Sequence, residues 1–368
     1  MRVRALSASI TLLLAAPSLA LAESAHSFKG NIGLQHRSNT NIGVAPASGS
    51  GFDFADLSEF GKSDEEDQQE GEEEEDDDDG DDDSDFDDDI DLGFDEDELE
   101  QADAVDEDGD GIDDILDPDD GGAVDKQRRT SIKLGLSHKL VVGEGSAWVN
   151  SLKLSNDTHA DRSDLDKLNS AVSTGWEFAR KGSPHKFKPS LSYITLEKDS
   201  RKFVSTWVAS LAYQYEVSKA LSLSVAYNYQ NKDITSPQAP DSRVDTLSFG
   251  ADIKLSKDDI VKLKYAPKVE DSTKTTRNTD AYGWDITYTR RLPWDMTAGI
   301  GYGFDSVRFV NLSPSRKDDN DTYAFELNKS FGKKFELGFG YETRTRKSNI
   351  PGKDADNDSY YLNGGWKF

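Results

Sequence analysis

The sequence predicts an all-β protein, an antiparallel transmembrane β-barrel of about 14 strands with a disordered acidic extracellular insert. Three observations predict it. From Lys126 onward, apolar and polar residues alternate with period two, the mark of strands with unlike faces. The segments between turn signals run to about 10–16 residues, which suits a tilted membrane strand better than a soluble one. Connections alternate between short turns and longer polar loops, as in barrels with one tight rim and one elaborate rim. A soluble sandwich also alternates, so segment length and the rhythm of connections decide between them.

Taken in order, the chain opens with a leader. Arg2 and Arg4 precede an apolar core around Ile10–Ala16, and Ala20-Leu21-Ala22 forms a small-residue cleavage site. Residues 1–22 are therefore expected to be removed, leaving Glu23 first. No cysteine is present, so no disulfide or thiol chemistry is available after export. No later segment has the ~18 consecutive apolar residues of a membrane helix. Entry into lipid then requires a closed barrel, because open strands would strand unpaired N–H and C=O groups in hydrocarbon.

Residues 23–43 supply the first barrel strand, at about 28–43. The others are expected at 127–142, 145–156, 166–180, 186–197, 203–217, 220–232, 243–256, 259–269, 280–292, 294–307, 321–331, 335–347 and 358–368. The alternation is plain in Leu247-Phe249-Ala251-Ile253 against Ser248-Gly250-Asp252-Lys254, and in Phe335-Leu337-Phe339-Tyr341 against Glu336-Gly338-Gly340-Glu342. Omitting the first segment would leave an odd number, whereas single-chain bacterial barrels have even ones. Short turns fall near Gly143-Glu144-Gly145, Lys181–Pro184, Ser218-Lys219, Ser256-Lys257, Leu292-Pro293 and Gly332-Lys333. Longer loops fall near 156–166, 197–203, 232–243, 269–279, 308–320 and 346–358. Trp148, Trp176, Trp207, Trp294 and Trp366 lie near strand ends, as interfacial aromatic girdles require. By parity the two ends of the barrel share one side, and the connection at 44–126 emerges on the other.

That connection holds most of the negative charge. Residues 51–125 contain 40 Asp and Glu against one base, Lys62, so the rest of the chain is basic although the whole carries −28. Residues 52–100 are low-complexity acid and cannot bury enough apolar surface to fold, so they are expected to be disordered. At 106–119 the run changes to Asp106-x-Asp108-x-Asp110-Gly111-x-x-Asp114-x-x-Asp117. Carboxylates at alternate positions, followed by a glycine that lets the chain turn, can gather hard oxygens around one calcium ion. The competing reading is chance spacing in an Asp-rich tract that buffers divalent ions loosely.

The motif resembles a thrombospondin type 3 calcium repeat, and its front half resembles an EF-hand loop. The resemblance implies Asp106, Asp108, Asp110, Asp114 and Asp117 as ligands, with calcium as cofactor and an affinity of about 10⁻⁴–10⁻³ M. It departs from the EF-hand in placing Asp117 where a Glu belongs, and from animal thrombospondin repeats in lacking cysteine. The C-terminus, with Tyr360, Leu362, Gly364 and Trp366 alternating up to Phe368, resembles the terminal-strand signature of bacterial outer-membrane proteins. That resemblance implies outer-membrane lipid and the barrel assembly machinery, through Phe368, as partners. Gly33-Leu34-x-x-Arg37-Ser38-Asn39-Thr40-Asn41 faintly resembles the barrel portion of surface-lipoprotein assembly modifiers, but the helical-repeat domain usual in those proteins has no counterpart before strand one, and no function is carried over.

Lys133, Lys153, Lys254, Lys262, Lys264 and Arg344 fall on the polar face, with Asp252, Asp285, Glu326, Glu336 and Glu342. Such charges either line a solute path or pair with one another in a water-filled scaffold. The expected function is a porin-like channel for small solutes with a surface calcium-binding loop. The alternative is a calcium-binding or adhesive surface module, or a secretion accessory, on a barrel without general channel activity. The five histidines, His26, His36, His138, His159 and His185, sit in no catalytic motif, so no enzyme is expected. The exposed acid disfavours nucleic acid as a partner.

Overall fold

The computed structural model describes residues 26–39, 127–160, 166–180, 182–198, 201–235 and 240–368. These form fourteen strands. The first seven are β1 His26–Asn39, β2 Gln127–Gly143, β3 Ser146–His159, β4 Lys167–Ala179, β5 His185–Lys198, β6 Arg201–Ser218 and β7 Leu221–Ile234. The others are β8 Ser242–Lys254, β9 Asp259–Ser272, β10 Thr279–Leu292, β11 Met296–Phe309, β12 Arg316–Phe331, β13 Phe335–Ser348 and β14 Ala355–Lys367. Each pairs antiparallel with its neighbours in sequence, and β14 pairs with β1 to close the barrel. Closure satisfies the main-chain groups that an open edge would expose, which lets this sheet sit in lipid.

The outer face is apolar. Leu247 and Phe249 on β8, Phe325 on β12, Leu337 and Phe339 on β13 and Leu362 on β14 are all exposed. Their neighbours one position along, such as Thr322, Ala324 and Glu326, point inward and are buried. Tyrosines bound this belt near the rims by bonding outward carboxylates: Tyr302 Oη donates to Asp321 at 2.6 Å and Tyr341 Oη to Asp358 at 2.9 Å on one side. On the other, Tyr288 Oη donates to Asp259 at 2.6 Å. Trp148 and Trp176 meet edge-on at 5.0 Å where β3 begins and β4 ends, as girdle aromatics do.

One rim carries tight turns. Gly145, Gly182 and Gly332 have φ of 74°, 74° and 66°, the left-handed region that favours glycine. At Gly145 an added Cβ would also run into the Ala179 carbonyl and Arg180 Cα. Gly145→Ala is therefore expected to destabilise the barrel by at least about 1 kcal/mol, read as a lower urea midpoint for unfolding. The β10–β11 turn uses Trp294 and Asp295 at φ of 65° and 56°, so Trp294 belongs to the turn and not, as the alternation suggested, to β11.

At the opposite rim the loops are shorter than the polarity of the sequence implies. Between β11 and β12 only 310–315 lie outside strands, against an expected 308–320. The sheet continues through polar sequence because the charges pair there: Arg308 with Asp280 at 2.7 Å, and Lys317 with Asp319 at 2.9 Å. The first strand starts at His26 and ends at Asn39, earlier than 28–43. Asn39 and Gln127 are register partners, so the connection between β1 and β2 leaves and returns at adjacent points on this rim. The beginning of β1 and the end of β14 lie at the other rim.

Candidate functional site: the barrel lumen

Every charged residue that alternation assigned to the polar face lies on the inward face. Glu326, Glu342 and Arg344 are buried there, and Lys133, Lys153, Asp252, Lys254, Lys262, Lys264, Asp285 and Glu336 share that face on their strands. A fourteen-stranded wall encloses more space than the eight-stranded size that side chains can fill, so these groups line a lumen.

The wall is held by side-chain networks where the ends of the sheet meet. On β13, Glu342 accepts a hydrogen bond from Arg37 Nη2 of β1 at 3.0 Å and forms an ion pair with Arg344, whose Nε lies 2.6 Å away. The Arg37 guanidinium also lies 5.8 Å from the centre of the Tyr361 ring on β14. Tyr361 faces inward between the outward Tyr360 and Leu362, and its ring occupies the space that a Cβ at Gly340, its register partner, would need. Gly338 makes the same kind of room for Asn328 and Asn363. Asn363 Nδ2 donates to Glu326 at 3.1 Å. These contacts tie β12, β13, β14 and β1 across the closing pair.

Charge is unevenly spread around the wall. Near the turn rim, Glu177 lies 2.9 Å from Lys139 and 3.7 Å from Lys188, and Lys186 lies 2.8 Å from Glu216. Nearer the loop rim, Lys232 and Lys268 flank Glu270 at 3.9 and 4.0 Å. On β12, Arg316 grips Asp318 through Nε and Nη2 at 2.7–3.1 Å. From β2 to β9 the inward cations outnumber the carboxylates. Most of the inward acids, Asp285, Asp305, Asp318, Glu326, Glu336 and Glu342, stand on β10–β13. A solute in the lumen therefore meets a basic arc on β2–β9 and, on β10–β13, an arc where Arg316, Arg344 and Arg346 stand among the carboxylates.

The sequence reading missed three features of this wall. Tyr361 is out of phase with the aromatic belt, and its signal was the glycine opposite. Arg346, where the expected strand 335–347 and loop 346–358 overlap, faces inward, and its Nε donates to the Lys353 carbonyl at 2.9 Å. A patch of fully inward aliphatics, Ile194, Leu196, Val204, Val208 and Val244, interrupts the polar face of β5, β6 and β8. Asp106, Asp108, Asp110, Asp114 and Asp117 lie outside the described residues, as do the leader and the rest of the acidic connection. Among the described residues, no group of three or more His, Cys, Asp or Glu side chains is placed to hold a metal ion.

Fold and lumen together define a transmembrane β-barrel with a lipid-type outer face and a charged interior. No family model matches the sequence, and no curated protein sequence matches it. Among solved structures, the chain is similar to the outer-membrane channel DcaP of Acinetobacter baumannii, with 10% identity, 95% of this chain and 99% of that chain covered, and a TM-score of 0.49. It is also similar to an anion-selective porin from Comamonas acidovorans, with 8% identity, 94% and 100% covered, and a TM-score of 0.47. A third is the outer-membrane-expressed OmpT of Vibrio cholerae, with 8% identity, 95% and 99% covered, and a TM-score of 0.47.

Proposed function

We propose that this chain is a bacterial outer-membrane channel whose lumen passes small polar solutes, and that the connection between β1 and β2 binds calcium outside the cell. The observation that carries the channel reading is the two-faced wall: exposed Leu247, Phe249, Leu337 and Phe339 outside, and ionised side chains facing a space too wide for them to fill. An apolar belt of this size needs lipid, and a wall of charges needs water. Purified protein in liposomes should give swelling with small sugars that falls off with solute size; liposomes that stay osmotically silent to the smallest sugars would remove the channel reading.

The calcium reading rests on the spacing of Asp106, Asp108, Asp110, Asp114 and Asp117. Calorimetric titration of the full chain should show a component lost on Asp108→Ala with Asp110→Ala, and equal heats from both proteins would remove the specific site. Surface proteolysis of intact cells, expected to cut within 60–100, tests the external placement. Phe368 serves two roles in this reading. It offers its side chain to the assembly machinery, and its backbone exchanges hydrogen bonds with Gly30 at 2.8 and 2.9 Å to complete closure.

A further inference from the structure

The charges of the inward face do not cancel. Around the barrel the inward Lys and Arg outnumber the inward Asp and Glu. A pair between a cation and a carboxylate removes one of each, so pairing leaves the surplus in place. Burial then decides where the surplus stands. Among the inward carboxylates, Asp157, Glu177, Asp305, Asp318, Glu326 and Glu342 are buried. Among the inward cations of the strands, Lys186, Lys232, Lys268, Arg316, Arg344 and Arg346 are buried, the same number. The surplus is therefore carried by side chains that reach lumen water. Lys153 and Lys254 are exposed, and Lys133, Lys262 and Lys264 are half-buried, whereas accessible carboxylates such as Asp252, Asp285 and Glu336 are fewer.

The shape of the wall sets these lysines beside the open part of the lumen. In the middle of β4 to β8 the inward positions are small: Gly175, Ser190 and Ser210 are successive register partners, and so are Ala212, Ala226 and Ser248. The opposite wall carries the long side chains of Glu326, Glu342, Arg344 and Tyr361. A passage lined by short side chains on one side and long ones on the other is open on the short side. Lys153 on β3 and Lys264 on β9 stand at the two edges of that side, each near the middle of its strand. The register partners of Lys153 are Gly135 and Ala171, and Ser151 and Ser155 flank it along β3, so none of these positions brings a carboxylate. Lys133 stands diagonally from it on β2, in register with Gly33 and Ser155.

We propose that the lumen passes small inorganic and organic anions in preference to cations, and that Lys133 and Lys153 at mid-height set that preference. The inference rests on the channel reading and adds to it the charge class of the solute. Charges of one sign along a wet passage with low-dielectric walls concentrate ions of the opposite sign and repel their own. Screening confines this to charges within about 10 Å of the path at 0.1 M salt. A unit charge at that distance in water shifts anions and cations in opposite senses, each by roughly twofold before screening. A carboxylate bound to a guanidinium, as Glu342 is to Arg37, brings no net charge to the path.

The zero-current potential of the full chain in planar bilayers, measured across a KCl gradient, reads the preference directly. Wild type should favour chloride over potassium. Lys153→Gln should lower the anion-to-cation permeability ratio by about twofold at 0.1 M salt. Lys133→Glu with Lys153→Glu should lower it further, and Lys153→Arg should keep it, which a merely structural role for the side chain would not do. Lys153 is exposed among small residues, so its replacement is expected to leave the barrel folded. Should the double variant not fold, Lys153→Gln decides alone. A conducting wild type that favours potassium, or neither ion, would show that the carboxylates, those of residues 51–125 included, offset the lysines; it would overturn the inference and leave the channel reading standing. A ratio unmoved in Lys153→Gln would overturn the assignment to these lysines. A bilayer that carries no current removes the channel reading and this inference together.

Discussion

Replacing Glu342 by alanine will destabilise the barrel by about 3 kcal/mol, the lower end of the range for removing one partner of a buried ion network. Glu342 has a side chain only 9% exposed, accepts a hydrogen bond from Arg37 and is ion-paired with Arg344. Its loss removes the carboxylate against which two inward guanidiniums are held, on two strands flanking the closing β14. The lower end of the range applies because the lumen side of this network is not an apolar core. Glu342→Gln keeps the acceptor oxygen and loses the charge, so a smaller effect is expected. Tyr361→Ala should also weaken closure, since its ring fills the space over Gly340 and lies beside Arg37. Glu342→Ala with Arg37→Ala should cost less than the two single changes added together, because the second substitution removes a cation that the first left uncompensated. Urea unfolding of each variant in detergent measures all of this; a Glu342→Ala midpoint equal to wild type would show that the network contributes nothing to closure.

The number of strands, their pairing in sequence order and the identity of the inward face were legible because one physical rule sets them all. A strand between lipid and a wet lumen must alternate, and Leu247 against Ser248 or Phe339 against Gly340 says which side is which. Strand ends were less legible because alternation marks only the part facing lipid. β12 begins at Arg316, five positions before the expected start at 321, since Arg316 with Asp318 and Lys317 with Asp319 keep the ladder going above the belt. The lumen wall was legible as a set of charges but not as a set of pairs. That Glu342 meets Arg37 across 305 residues follows from closure and register, which no local pattern encodes. Composition alone speaks for the acidic connection, whose flanking residues Asn39 and Gln127 are register partners.

The sharpest test of the two-faced wall uses adjacent residues. Leu247 and Ser248 stand near the middle of β8, one facing out and the other in. Arginine at position 247 puts a guanidinium in the hydrocarbon belt beside the outward Tyr227, and the outward carboxylate of Asp245, two residues back, already accepts from the Tyr227 hydroxyl. At the bilayer midplane such a charge costs about 2–4 kcal/mol. Arginine at position 248 extends into the lumen, opposite Ala226 in the register, where water and the carboxylate of Asp252, four residues on along the same face, can solvate it. Leu247→Arg should therefore lower the stability of folding into lipid vesicles by about 2–4 kcal/mol while leaving the single-channel conductance of whatever protein does insert unchanged. Ser248→Arg should do the reverse, folding with a change of less than about 0.5 kcal/mol but altering conductance and shifting ion preference toward anions. The two effects are separable because stability is read by equilibrium unfolding in vesicles and permeation by planar-bilayer recording. If both variants insert with equal stability, the apolar face is not what meets lipid. If neither alters conductance, the inward face does not line a conducting path.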